Sequence, residues 1–142
     1  MTDTTIVKTV FFNASVETVW SFLTDKDKLG KWYHPAEENL SEGQEYSLLE
    51  QNDDGSYRKI VWGKVTEMIA PSRLVQTFCI NPLGGGETTL TWQLETVAGG
   101  TKLTLTHEGI AEAAGEAALG LFCALDAGWD AHFARLRENA NR

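Results

Sequence analysis

The side chains best suited by type to proton transfer in this 142-residue sequence are its histidines and a carboxylate that interrupts an apolar stripe. His107 alternates with Leu103 and Leu105, so it shares their face of a strand and turns toward the interior. Burying a polar side chain without a partner costs roughly 2–7 kcal/mol, so a hydrogen bond must meet it there. Two roles fit: a polar anchor or burial-tuned acid/base for a ligand, or a core histidine bonded to backbone near the strand end. Asp126 lies in the path of Leu119, Phe122, Trp129, Phe133 and Leu136. Either it points into a cavity, or the helix is rotated so that Leu125 packs and Asp126 lies at the edge. A His107–Asp126 dyad is not expected, because Asp126 lies ~16 Å down its helix whereas His107 is one residue from a turn. Leu103 or Leu105 is the expected neighbour of Asp126.

His34 follows Trp32 and Tyr33 directly, at a pocket mouth or in an exposed loop. Apart from Asp130 near His132, no histidine has a ligand-type residue at helical spacing, so no metal site is expected. Gly84-Gly85-Gly86 lies between strand patterns without a following helix or Lys-Ser/Thr, which makes it a hairpin loop rather than a phosphate cradle. No Gly-x-Ser-x-Gly elbow occurs, and no catalytic residue or cofactor is assigned. The richer signal is aromatic. Trp32, Tyr33, Phe78, Trp92, Phe122 and Trp129 all fall at inward or helix-facing positions, where they either build a large core or wall a cavity.

These residues need elements to hold them. Residues 6–12 are β-branched and aromatic, as a strand requires, and Ser15 caps a helix with Val16, Val19, Trp20 and Leu23 on one face. Thr24-Asp25 opens a second short helix. Strands follow at residues 45–51, 57–69, 73–81, 88–97 and 101–108, separated by turns such as Asp53-Asp54-Gly55 and Ala98-Gly99-Gly100. Such short turns force antiparallel neighbours. Leu90, Trp92 and Leu94 oppose Thr89, Thr91 and Gln93, so one sheet face is wet and the other covered. Residues 115–139 form a helix of ~36 Å that covers it. The fold class is therefore α+β: a curved antiparallel sheet wrapped around one long C-terminal helix, with two short helices near the N-terminus, in a single domain over residues 1–142.

Composition removes several classes of function. With 12 basic against 20 acidic residues the net charge is −8, which argues against nucleic acid and anionic membranes as partners. No apolar run approaches the ~18–20 residues of a membrane span, so membrane insertion is not expected. The first residues lack the charge and apolar core of a signal peptide, and Cys79 and Cys123 read as buried thiols, so a cytoplasmic location is expected.

The series Ala14-Ser15-Val16-Glu17-Thr18-Val19-Trp20, Leu23-Thr24-Asp25, Lys31-Trp32, Gly63-Lys64-Val65, Pro71-Ser72-Arg73-Leu74-Val75, residues 100–107, and Gly128-Trp129 with Leu136 resembles the homologues of the activator of the heat-shock protein 90 ATPase. That family belongs to the START-like superfamily (SRPBCC, or Bet v 1-like), and the resemblance implies its helix-grip fold over about residues 7–136. The superfamily spans lipid carriers, hormone receptors, cyclases and co-chaperones, so function rests on the site. Eukaryotic activators carry a chaperone-binding domain ahead of the homologous one, whereas this sequence begins almost directly with the first strand. Chaperone contact therefore ranks below small-molecule binding. The expected function is binding of a small hydrophobic ligand, lipid-like or aromatic, in a cavity between sheet and C-terminal helix. Trp32, Tyr33, Phe78, Trp92, His107, Phe122, Asp126 and Trp129 are the candidate ligand contacts. A cyclase- or hydrolase-like enzyme in the same cavity and a chaperone-interacting module are the alternatives.

Overall fold

The computed structural model describes residues 4–84 and 86–141. Strand β1 (Ile6–Phe12) leads into helices α1 (Val16–Thr24) and α2 (Lys26–Trp32), and these into strands β2 (Glu45–Gln51), β3 (Tyr57–Ile69), β4 (Arg73–Phe78), β5 (Thr88–Val97) and β6 (Gly100–Glu108). A short helix α3 (Ile110–Ala114) and one 3-10 turn then precede the long helix α4 (Ala118–Ala140). The sheet order is β1-β6-β5-β4-β3-β2, with every neighbouring pair antiparallel. The expected architecture is the observed one.

Local chemistry explains the two short helices. Ser15 Oγ accepts from the Thr18 N–H at 3.2 Å, and Asp25 Oδ1 accepts from the N–H groups of Asp27 and Lys28, both at 3.0 Å. Asp25 thereby closes α1 and opens α2, and the exposed donors at the start of α2 hold its carboxyl below the ordinary range. The sheet bends at bulges between Leu48 and Leu49 and between Val65 and Glu67. Gly63 permits the close approach of β3 to β4: a Cβ there would lie 2.3 Å from the Thr77 carbonyl oxygen.

Cross-strand register aligns the inner face. Leu90 pairs with His107, Trp92 with Leu105 and Leu94 with Leu103, and all six are buried. The fully buried residues of α4, which seal this face, run from Trp129 through Phe133 and Leu136 to Ala140. The first half covers it less completely: Leu119 is 75% exposed and Cys123 is exposed, while Leu121, Phe122 and Leu125 are half-buried and pack against the core. The apolar stripe read along the helix therefore splits into a buried half and a half-covered one. Cys79, by contrast, is buried as expected, and burial pushes its thiol pKa up.

Lys8 sits on the inward side of edge strand β1, opposite Leu105 in register. Its Nζ reaches Asp126 at 2.6 Å and Asp130 at 2.9 Å, tying α4 to the sheet edge. An inward-turned charge on an edge strand also discourages pairing with another chain. No helix among the described residues is long and apolar enough to cross a membrane.

Candidate functional site

Beneath α4 the interior is filled. Trp129 and Phe133 descend from the helix and stack at 5.8 Å, while Trp92 rises from β5 to meet them edge-on at 5.6 and 6.1 Å. Trp32 closes the group from α2, 6.1 Å from Trp92 and 6.2 Å from Phe133. Each of the three deepest indoles donates its N–H: Trp32 to the Phe22 carbonyl at 2.8 Å, Trp92 to Gln76 Oε1 at 2.8 Å, and Trp129 to His107 Nδ1 at 3.3 Å. These bonds remove the main penalty of burying tryptophan.

His107 is fully buried, and its partners determine its tautomer. Thr88 Oγ1 donates to the Phe78 carbonyl at 3.0 Å, so it must accept from His107 Nε2–H at 2.8 Å. Nδ1 then carries the lone pair that accepts from Trp129. The imidazole is neutral, edge-on to Phe78 at 4.9 Å, and burial lowers its pKa to about 4. This network ties β4, β5, β6 and α4 together. Side chains rather than strand-end backbone satisfy the ring, and both nitrogens are committed, which leaves neither free to exchange a proton with a ligand.

Asp126 lies apart from this layer. Its side chain is 59% exposed and bound to Lys8 at the sheet edge, while Leu125 beside it packs against the core. The reason is electrostatic: the edge-strand ammonium gives the carboxylate a partner in water, which no position under the helix offers. Phe122, on the half-covered start of α4, is half-buried and packs against the core without belonging to the fully buried layer.

A small void lies under α1 and α2. Its volume is about 10 Å³, and it is lined by Leu23, Leu29, Trp32, Tyr33, Leu40, Tyr46, Leu48, Gln76, Phe78, Leu90 and Trp92. That volume is room for a single water. Four of the candidate contacts, Trp32, Tyr33, Phe78 and Trp92, are brought together here, whereas His107 and Trp129 belong to the solid layer beside it. Sequence reasoning missed two polar members of the wall. Gln76 alternates with Leu74 and Phe78 on β4, and Tyr46 with Leu48 on β2, so the period-2 pattern already turned both inward. Tyr46 donates its hydroxyl proton to the Thr77 carbonyl at 2.5 Å, and burial raises the pKa of both Tyr46 and Tyr33.

Tyr33 separates the void from a second cluster. Its ring lies 4.6 Å from His132 and 4.9 Å from His34, and those two imidazoles are 5.7 Å apart. Arg135 donates from Nε to the Trp32 carbonyl at 3.1 Å and from its second guanidinium nitrogen to His132 Nδ1. Burial, with help from the Arg135 charge, lowers the His132 pKa to about 4. Burial also lowers that of His34, with Glu50 opposing and Arg135 assisting. His34 is therefore half-buried against Tyr33 rather than fully exposed. Among the described residues no group of three His, Cys, Asp or Glu side chains is placed to hold a metal ion.

Among solved structures, a protein from Chromobacterium violaceum is similar over 98% of both chains, with a TM-score of 0.77 and 22% identity. DynU16, from the dynemicin biosynthetic locus, matches 96% of this chain with a TM-score of 0.76 and 23% identity, although the chain spans only 47% of DynU16. The Aha1 dimer from Colwellia psychrerythraea matches over 96% of both chains, with a TM-score of 0.73 and 20% identity. At these identities the likeness establishes the helix-grip fold alone. Comparison with curated proteins gives no match. The sequence model of the Activator of Hsp90 ATPase homolog 1-like proteins matches residues 13–141, nearly the whole sequence. On that match, over the fold just described, the chain belongs to the Activator of Hsp90 ATPase homolog 1-like family.

Proposed function

We propose that the protein binds a small, largely apolar molecule in the aromatic space between sheet and helices, centred on the void beside Trp32, Tyr33, Phe78 and Trp92. The observation that carries this reading is the wall itself. Aromatic and aliphatic side chains enclose a space into which Gln76 and two tyrosines also face, the pattern of an apolar site with a few orienting groups. The closed form has room for no more than a water, so entry requires Tyr33 and the end of α2 to move. Ligand burial at about 25 cal/mol per Å² of apolar area would drive that opening. Gln76 replaces His107 as the orienting group nearest the ligand. The commitment of both His107 nitrogens favours binding over a cyclase- or hydrolase-like reaction. We also propose a cytoplasmic location, with which the two free cysteines agree.

Native mass spectrometry of protein purified from its own host tests this directly. A co-purifying small molecule, released by Trp92→Ala or Tyr33→Ala, is the expected result. Absence of any such molecule, together with no saturable quenching of tryptophan fluorescence by fatty acids or aromatic acids, would overturn the reading. A second reading, contact with a chaperone, is favoured by the family and by the exposed apolar start of α4 at Leu119. Retention of the protein by purified heat-shock protein 90, lost in Leu119→Asp, is the result that would establish it.

A further inference from the structure

On α4, Trp129, His132 and Arg135 follow one another at three-residue spacing and form one row facing the end of α2. Tyr33 and His34 lie against that row, so one cation and two imidazoles gather around the ring that bounds the void. Arg135 uses two donor groups, on the Trp32 carbonyl and on His132, and both acceptors are neutral. A guanidinium has five N–H donors, so several remain for a planar acceptor. Among the described residues Arg135 forms no salt bridge. Glu50 on β2, the acidic side chain that acts on His34, is itself paired with Arg58.

Capping of α2 accounts for the Arg135 Nε bond and for Asn139, which donates to the Lys31 carbonyl at 3.2 Å. It does not account for two half-buried histidines drawn around a cation that has no acid. The spacing of the two imidazoles would suit a shared metal ion, but no third ligand stands there among the described residues, and the neighbouring guanidinium repels a cation.

We propose that His34, His132 and Arg135 form a carboxylate-binding mouth to the aromatic chamber, so that the ligand is a small acid whose apolar body passes Tyr33. This rests on the chamber reading above. The carboxylate takes the free guanidinium donors, and its charge offsets that of Arg135, so His34 and His132 bind protons more readily when it is present.

The test titrates the full chain with 4-phenylbutyrate, with its uncharged amide, and with acetate alone. Calorimetry gives affinity, and NMR of the histidine ring carbons gives the titration of His34 and His132. The acid is expected to bind about tenfold more tightly than the amide, with both histidine midpoints raised. Arg135→Gln abolishes that preference, while Arg135→Lys retains part of it. Equal binding of acid and amide, or an undiminished preference in Arg135→Gln, overturns the mouth and leaves the chamber standing. If neither phenylbutyl probe binds but acetate still raises both midpoints, the mouth stands and the chamber falls. No response to any of the three overturns both, and tighter binding of zinc than of acetate at these histidines replaces the mouth with a metal site.

Discussion

Acidifying the protein from pH 7 to pH 5 is expected to remove about 2 kcal/mol of stability through His107 alone. An unfolded chain returns this imidazole to its ordinary pKa of 6.5, whereas in the fold it is lowered to about 4. Between those values the unfolded state binds the extra proton, so stability is present above 6.5 and falls as pH drops toward 4. The full shift corresponds to about 3 kcal/mol, most of it lost by pH 4. The structural cause is specific: a protonated ring would turn a second N–H toward the Trp129 N–H that now donates to Nδ1. His107→Gln keeps a donor and an acceptor but cannot titrate. It should cost about 1–2 kcal/mol at pH 7 through lost packing on Phe78, and that deficit should shrink by about 2 kcal/mol at pH 5. Urea unfolding of both proteins at the two pH values measures the difference, and ring NMR of the wild type reports the Nε2–H tautomer. A His107 midpoint near 6.5, or an unchanged deficit at pH 5, would refute the reasoning.

Gln76→Leu leaves the Trp92 indole N–H buried without its acceptor and should cost about 1–3 kcal/mol in chemical denaturation. Gly63→Ala drives a methyl group to 2.3 Å from the Thr77 carbonyl oxygen; a loss of about 1–3 kcal/mol and a disturbed β3–β4 register in amide exchange are expected. Asp126→Asn, by contrast, alters a solvent-exposed pair that Asp130 also serves, so stability should change by less than about 1 kcal/mol and ligand affinity not at all. A large effect of Asp126→Asn on binding would place that carboxylate in the site after all.

Much of the fold was legible because its signals are local. Alternation in residues 88–97 and 101–108 turned Trp92 and His107 inward, Ser15 and Asp25 announced their helices, and short turns required antiparallel neighbours. The same alternation contained Gln76 and Tyr46, yet their importance emerges only when β2 and β4 are folded around one void. Period says which way a side chain points; it does not say what stands opposite.

The C-terminal helix marks the boundary between the two kinds of information. Its residues dictate a helix with apolar positions along its length, but not which half of that length is buried on the sheet. Packing decided this: Trp129, Phe133 and Leu136 fill the space over β5 and β6, Lys8 draws Asp126 to the edge, and Leu119 is left in solvent. Rotation about a helix axis is set by the partners it meets. For the same reason only tertiary structure could show that the space under α4 is filled, that the void lies under α2, and that His34 and His132, 98 positions apart, share one guanidinium's surroundings. Elements and facing are properties of neighbours along the chain, whereas cavities and charge clusters arise from residues that only folding brings together.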